Sequence, residues 1–428
     1  MNHRPRILLV AGGFPLASET FVREQCLQLV ERGVDLEILA LRPGDGTWTA
    51  RERAAALADR TLAANIDRPA WERISRIPHR FLSRLIRDPA SAVKSVHPAR
   101  GWRGTSGQIL EIAAAIGRGG RYDAIHCEFG PMGRIMLDVI DAGIVSGPMS
   151  VAFYGYDITR EIRKYGEAVY EPLFDRASML LPNSRYLATR LLDAGAASEK
   201  VRVHRLGIRL EDFPFVDRRG RSGPPLMLAV GRLVEKKGFE HLIRAMRLAG
   251  DRSAFRARIV GDGPLRQSLE ALARSNGLSD RIEFLGWRSG PEVSELMVGA
   301  DLFVAPSVTA GDGDMEGMPL VITEAMSTGL PTVGSRHSGI PEVVIDGENG
   351  LVVEERDERG LAEAFIHFSD VNHRLHAASS ARATVESRFD SRKQGDELLA
   401  LLNSIGGSES GPNPDASGVG GPEISEFG

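Results

Sequence analysis

Short apolar runs alternate with amphipathic stretches along most of the chain. Arg6–Ala11, Leu36–Leu41, Ala124–Phe129, Met149–Tyr154 and Met179–Leu181 lack the polar alternation of a half-wet strand, so they read as strands buried on both faces. After the first run, Phe21, Val22, Cys26, Leu29 and Val30 recur at helical spacing, with Ser18 placed to cap that helix and Gly33 to end it. A second series follows at Leu226–Gly231, Ala257–Gly261, Arg281–Leu285, Leu302–Ala305, Thr332–Gly334 and Leu351–Val353, again with helical patterns between. Strand–helix repetition requires parallel sheets covered on both faces. The expected fold is therefore α/β, with two doubly wound units in tandem. Pro, Gly and charge cluster over 208–224, which sets a first domain at 1–213 and a second at 214–387. Residues 406–428 hold 7 Gly, 3 Pro and 4 Ser in 23 positions, too little apolar content to offset ordering, and are expected to be disordered.

Composition narrows the class. The 428 residues are 42% hydrophobic and 26% charged, as in a globular protein with a real core. No apolar run is long enough to span a bilayer as a helix. The start imitates a signal peptide, but its apolar run breaks at Gly12-Gly13 and meets Glu19 soon after, which reads as a first strand. Cys26 and Cys127 form no disulfide or zinc framework, so a cytoplasmic location is expected. A net charge of -4 argues against nucleic acid as a partner.

The charge is uneven. Residues 42–121 carry 15 Arg/Lys against 7 Asp/Glu, a net of +8, leaving -12 for the rest. A helical insertion is expected over about 50–118. Within it, Trp71 to Arg87 interleaves arginine with apolar residues. Trp71, Ile74, Ile77, Phe81 and Leu85, with Leu82, can share one side, and Pro78 would kink or divide the helix. Two readings stand: an amphipathic helix packed on its own domain with a solvated arginine face, or a basic surface that meets anionic lipid at the inner face of the plasma membrane.

Candidate chemistry gathers in the second half. Gly231-Arg232 through Lys237-Gly238 follows a strand and opens a helix, where free amides and the helix dipole favour an anion; Arg232 and Lys237 add charge beside it. Gly261, Asp262 and Gly263 form a turn after the next strand, with Pro264 suited to the first turn of a helix. In Glu316 to Pro331, Pro319 fits the first helical position, Glu316 falls in the preceding loop and Glu324 on the second turn. Two carboxylates so placed can hold hydroxyls of one extended ligand; equally, Glu324 can be an ordinary helix glutamate. Asp312-Gly-Asp314 could bind a divalent metal, but no neighbouring ligand completes the set.

Together these segments resemble the retaining, nucleotide-sugar-dependent glycosyltransferases of family 4 (glycosyl transferases group 1), which have the GT-B fold. The resemblance is carried by GRLVEKKG (231–238), VGDGPL (260–265), EGMPLVITE (316–324) and SGIPEVVIDGENGLVV (338–353), and runs over roughly residues 6–400. FPLASETFV (14–22), HCEFGP (126–131) and YGYDI (154–158) look like the colanic-acid and exopolysaccharide assembly branch.

The resemblance implies two Rossmann-like domains facing across a cleft, with a helix at 388–405 returning to the first. It implies transfer of a hexose from a UDP- or GDP-sugar to an oligosaccharide acceptor, lipid-linked in this branch, without metal or cofactor. Arg232 and Lys237 would neutralise the donor diphosphate. Glu316 would contact the transferred sugar, and Glu324 the ribose hydroxyls. The amides of Gly317, Met318 and Leu320, around Pro319, would orient the sugar or its phosphates. Gly231, Gly261, Asp262 and Gly263 complete the donor side, and Gly12 and Gly13 would let the first domain approach the phosphate. Where many relatives carry histidine before a glycine, this chain has Tyr154, which leaves that sugar contact open. His126 and Glu128 stand where relatives often have a His-x-His pair; His126 can face the acceptor or simply bond inside the sheet edge. Three rivals remain: a sugar-nucleotide epimerase on the same fold, a Rossmann oxidoreductase, disfavoured by the absence of Gly-x-Gly-x-x-Gly after the first strand, and an inactive sugar-nucleotide-binding module.

Overall fold

The computed structural model describes residues 4–97, 101–117, 119–221 and 223–406. The segment expected to be disordered lies, from 407 on, outside the described residues. The first sheet runs, in spatial order, Thr61–Ala63, Asp35–Pro43, Arg6–Phe14, Ala124–Glu128, Met149–Phe153 and Met179–Pro182. The second runs Ile282–Gly286, Arg256–Val260, Leu226–Val230, Leu302–Ala305, Thr332–Ser335 and Gly350–Val353. Every pairing in both is parallel. Counted in chain order, each sheet reads 3-2-1-4-5-6. The order reverses between the first and fourth strands, and the loops leaving their carboxyl ends diverge to open a crevice.

Successive side chains of a strand point to opposite faces, so a continuous apolar run fills two cores at once. Leu8 and Val10 enter one core with Ile109, Ile112 and Met136, while Ile7, Leu9 and Ala11 enter another with Val22, Cys26 and Leu29. In the second sheet Met227 and Ala229 pack with Leu242 and Met246, and Leu228 with Ile322 and Met326. The short strand Thr61–Ala63 has no counterpart in the sequence reading, because three residues give too little periodicity to stand out of an arginine-rich stretch.

The chain crosses between domains twice, side by side. Ile208 N–H donates to Phe389 O at 2.8 Å and Ser391 N–H to Ile208 O at 2.9 Å. Ile208 already lies in a core of the second domain, with Phe213 packed against it. The helix Ser391–Gly406 docks on the first domain: Leu398, Leu402 and Ile405 join the core of Ile7 and Leu9, and Arg32 pairs with Asp396 at 2.7 Å.

Three local expectations are corrected. The first helix spans Thr20–Glu31 with Glu19 as its N-cap, not Ser18. Glu19 N–H donates to Leu16 O, so a turn occupies the place where Ser18 would cap. Pro319 is the N-cap and not the first residue of its helix, Leu320–Ser327, because a ψ of 116° keeps it extended. The arginine-rich helix runs unbroken through Pro78 as Ala70–Arg87, and its expected apolar side is divided: Ile77, Phe81 and Leu85 are half-buried, but Trp71 is 73% exposed, Leu82 58% and Ile74 46%, while Arg73 and Arg84 are 6% and 5% exposed. The arginines go inward because carbonyls await them. Arg73 donates to Ile66 O at 2.7 Å, to Ser106 O at 3.2 Å and to Arg68 O. Arg84 donates to Gly117 O at 2.7 Å and Ser91 Oγ at 2.6 Å.

Candidate active site

In the second domain the crevice lies between the loop after Leu226–Val230 and the loop after Leu302–Ala305. The first of these loops tightens into one helical turn, Glu235–Lys237, before the helix Phe239–Ala249. Lys237 folds back along Gly231: a Cβ there would stand 2.9 Å from Lys237 Cε, so glycine makes room for the lysine stem. Lys237 Nζ reaches Glu316 Oε2 at 3.2 Å. Lys236 Nζ lies 3.1 Å from Asp314 Oδ1 and 3.4 Å from Glu316 Oε1. Burial would raise the Glu316 carboxyl, but Lys237 and Lys236 overcome it and hold it down to about 2. The Arg232 side chain, by contrast, is exposed and makes no hydrogen bond or ion pair among the described residues.

The loop before Leu320–Ser327 presents unused donors. Among the described residues, the amides of Gly317, Met318 and Leu320 donate no hydrogen bond. Its shape is fixed from behind: Gly317 O accepts from Gly339 N at 3.0 Å and from Ser338 Oγ at 2.8 Å, with Ser338 in the left-handed region at φ 48°. Glu316 N–H donates to His337 Nε2 at 3.1 Å, while His337 Nδ1 lies 2.6 Å from Glu355 Oε1. The carboxylate therefore fixes the Nδ1–H tautomer. Glu324, on the second turn, has no ion pair among the described residues, and burial pushes its carboxyl up to about 7. Gly261, Asp262 and Gly263 close the crevice wall. Leu233 N–H donates to Asp262 O at 2.9 Å, and a Cβ on Gly261 would meet Gly231 O at 1.9 Å.

The Asp-x-Asp pair is committed elsewhere. Asp314 holds Lys236, and Asp312 meets Arg160 of the first domain at 3.3 Å.

In the first domain the corresponding crevice is filled. Gly12 and Gly13 lie within the first strand, which continues to Phe14, and Gly12 O accepts from Arg42 Nε at 3.1 Å. His126 and Glu128 on the fourth strand are fully buried, their Nε2 and Oε1 atoms 3.4 Å apart, and His126 Nδ1 lies 2.9 Å from Ser150 Oγ. Tyr154 O–H donates to Glu128 Oε2 at 2.5 Å. Burial and the Glu128 charge push the Tyr154 phenol far up, so it stays a donor. Phe21 and Phe129 hold its ring, at 4.7 and 4.9 Å between centroids. His126 and Glu128 therefore sit behind Tyr154, whose backbone carbonyl meets the second domain at Gly317.

The domains meet at this point. A Cβ on Gly317 would lie 2.1 Å from Tyr154 O, and one on Gly155 would lie 2.9 Å from Gly317 N. Glycine on both sides lets the backbones touch. Arg163 donates to Gly311 O at 3.0 Å, and Glu342 Oε1 accepts from Tyr186 N at 3.0 Å.

Several site residues escaped the sequence reading. Lys236 was passed over for its neighbour. Asp157 lies inside the quoted YGYDI segment; its carboxylate accepts from the amides of Gly130, Tyr154 and Gly155 at 3.2, 3.1 and 3.0 Å, shaping the loop that meets Gly317. Burial nonetheless pushes Asp157 up to about 6. Glu19 lies inside FPLASETFV; burial and nearby Glu128 push it up to about 7, and its Oε2 has no partner among the described residues. His337 had no signal beyond the SGIPEVV segment it precedes.

Comparison with known proteins agrees with this geometry. The family model described as glycosyl transferases group 1 matches residues 215–383. Over 406 residues the chain is 34% identical to a protein of Escherichia coli (strain K12) named a colanic acid biosynthesis glycosyltransferase, WcaL, covering 92% of this chain and 98% of that one. It is 32% identical, over the same shares, to the amylovoran biosynthesis glycosyltransferase AmsK of Erwinia amylovora. Among solved structures, Anabaena Alr3699/HepE in complex with UDP-glucose superposes with a TM-score of 0.68 at 19% identity, covering 94% of this chain and 100% of that chain. Sucrose-phosphate synthase of Thermosynechococcus elongatus gives 0.68 at 18%, covering 94% and 99%.

Proposed function

Because the chain belongs to the group 1 glycosyl transferases, and is a glycosyltransferase of exopolysaccharide biosynthesis with the GT-B fold, we propose that it transfers a hexose from a UDP- or GDP-sugar to a lipid-linked oligosaccharide with retention of configuration. The observation that supports this most is the second-domain crevice: Lys236 and Lys237 beside unused amides at the start of Leu320–Ser327. A diphosphate fits that combination of cations and oriented donors.

In this reading Lys237 and Arg232 neutralise the charge that grows on the departing phosphate, the task a metal ion performs in other transferases. The commitment of Asp312 and Asp314 to Arg160 and Lys236 favours this metal-independent form. Glu316, held as a carboxylate, contacts the transferred sugar. Glu324 accepts from the ribose hydroxyls. Tyr154, braced by Glu128 and His126, faces the sugar from the first domain and takes the place of a histidine. The acceptor hydroxyl attacks the anomeric carbon on the side of the leaving group. The carbon–oxygen bond to the phosphate breaks, and the departing phosphate oxygen takes the hydroxyl proton, so no separate protein base is required.

The test has two parts. A thermal-shift screen against UDP, GDP and their sugars is expected to raise the melting temperature with one base preferred, since a ligand of the folded state stabilises it by mass action. Turnover is then measured with and without a lipid-linked acceptor. Sugar transfer only with acceptor is the expected result. An altered nucleotide sugar without acceptor would make the protein an epimerase, and binding without turnover an inactive module.

A further inference from the structure

The helix Ala70–Arg87 leaves a line of apolar side chains outside, and this goes beyond the transfer reaction. Its inner side carries Arg73 and Arg84, each bonded to backbone carbonyls, so this docking is anchored and the helix cannot simply roll over. Its outer side carries Trp71, Ile74, Pro78, Leu82 and Ile86. These recur at intervals of three or four and are all exposed, Ile86 by 78%. Val93, on the following helix Pro89–Ser95, is also exposed. Four large apolar side chains and a proline along one helical line are more than scattered surface hydrophobics.

Charge says what covers them. Arg87 and Lys94 are exposed, whereas Arg76 pairs with Glu72 at 3.1 Å and Arg80 turns inward to Glu111 at 3.5 Å. A second copy of the same surface would bring these cations against each other, which disfavours self-association. An anionic bilayer complements both parts, taking the apolar side chains below its headgroups and the cations among its phosphates. The stripe also begins next to the first-domain crevice: Asp67, three residues before this helix, meets Arg42 at 3.4 Å, and Arg42 in turn holds Gly12 O.

We propose that the outer face of Ala70–Arg87 and Pro89–Ser95 is a docking surface for an anionic lipid bilayer, seating the first-domain crevice at the membrane.

Flotation of the full chain with vesicles tests this without any nucleotide or acceptor, so its failure is separate from failure of the transfer reading. With mixed phosphatidylglycerol–phosphatidylcholine vesicles the protein is expected to float; with phosphatidylcholine alone it is not. Trp71→Ser with Ile86→Ser, both at exposed positions, should keep the melting temperature and lose binding about a hundredfold or more. Arg87→Gln should weaken binding about fivefold, and added salt should do the same. No flotation of the native protein, equal flotation with neutral vesicles, or undiminished binding by the folded double variant would each overturn the proposal. A concentration-dependent dimer abolished by the double variant, with no flotation, would assign the face to a second copy instead.

Discussion

The two domains share one topology and oppose each other in electrostatics. Both sheets reverse order between their first and fourth strands, so both open a crevice at the same place. In the first domain that place is occupied by Glu19, Glu128, His126 and Tyr154, three of them linked to one another. In the second it holds Arg232, Lys236 and Lys237 facing unused amides. In the proposed function the diphosphate is held by the second set and not by the first. The fold supplies two equivalent crevices, and the side chains at the carboxyl ends of the strands and on the loops after them give each its own chemistry.

The sharpest way to break this contrast is to remove the cation. Lys237→Ala is expected to lower turnover by a factor of about 10²–10³, the usual effect of deleting one stabiliser of transition-state charge. A near-native rate in a steady-state assay would place the diphosphate elsewhere.

Glu324 sharpens the contrast through pH. With its carboxyl raised to about 7 by burial, it is protonated below that pH and accepts ribose hydroxyls well only above it. Nucleotide affinity, measured by calorimetry, should therefore rise between about pH 6 and 8. Glu324→Gln should bind about tenfold or more weakly at high pH and lose the dependence.

The first-domain cluster should respond in stability and sugar transfer, not in nucleotide binding. Glu128→Gln replaces the charged acceptor of Tyr154 and should cost about 1–3 kcal/mol in chemical denaturation. Turnover should fall while the thermal shift produced by nucleotide is unchanged. Loss of nucleotide binding in this variant would mean that the first crevice also holds the donor.

The smallest effect is expected at the domain contact. Arg160→Gln removes an exposed pair with Asp312 and should change stability by less than about 1 kcal/mol. A larger loss would mean that this loop fastens the closed arrangement.

Local sequence was enough for the strands and for the punctuation between them. Apolar runs such as Ile7–Val10 report burial on both faces, and the glycines at 231, 261 and 317 stand where the chain must pass close to itself. The Glu316–Glu324 spacing placed one carboxylate before a helix and one on it, because that depends on a few neighbouring residues.

What no local pattern could decide was which distant groups answer one another. Lys236 and Asp314 are 78 residues apart, and Arg6 bonds Glu37 across 31. The arginine-rich helix shows why. Its pattern marks apolar and basic positions but not which of them turn inward. That choice was made by the carbonyls of Ile66, Ser106 and Gly117, left unsatisfied by irregular backbone elsewhere in the chain. A buried polar group is stable only with a partner, and that partner is found by the fold and not by the segment.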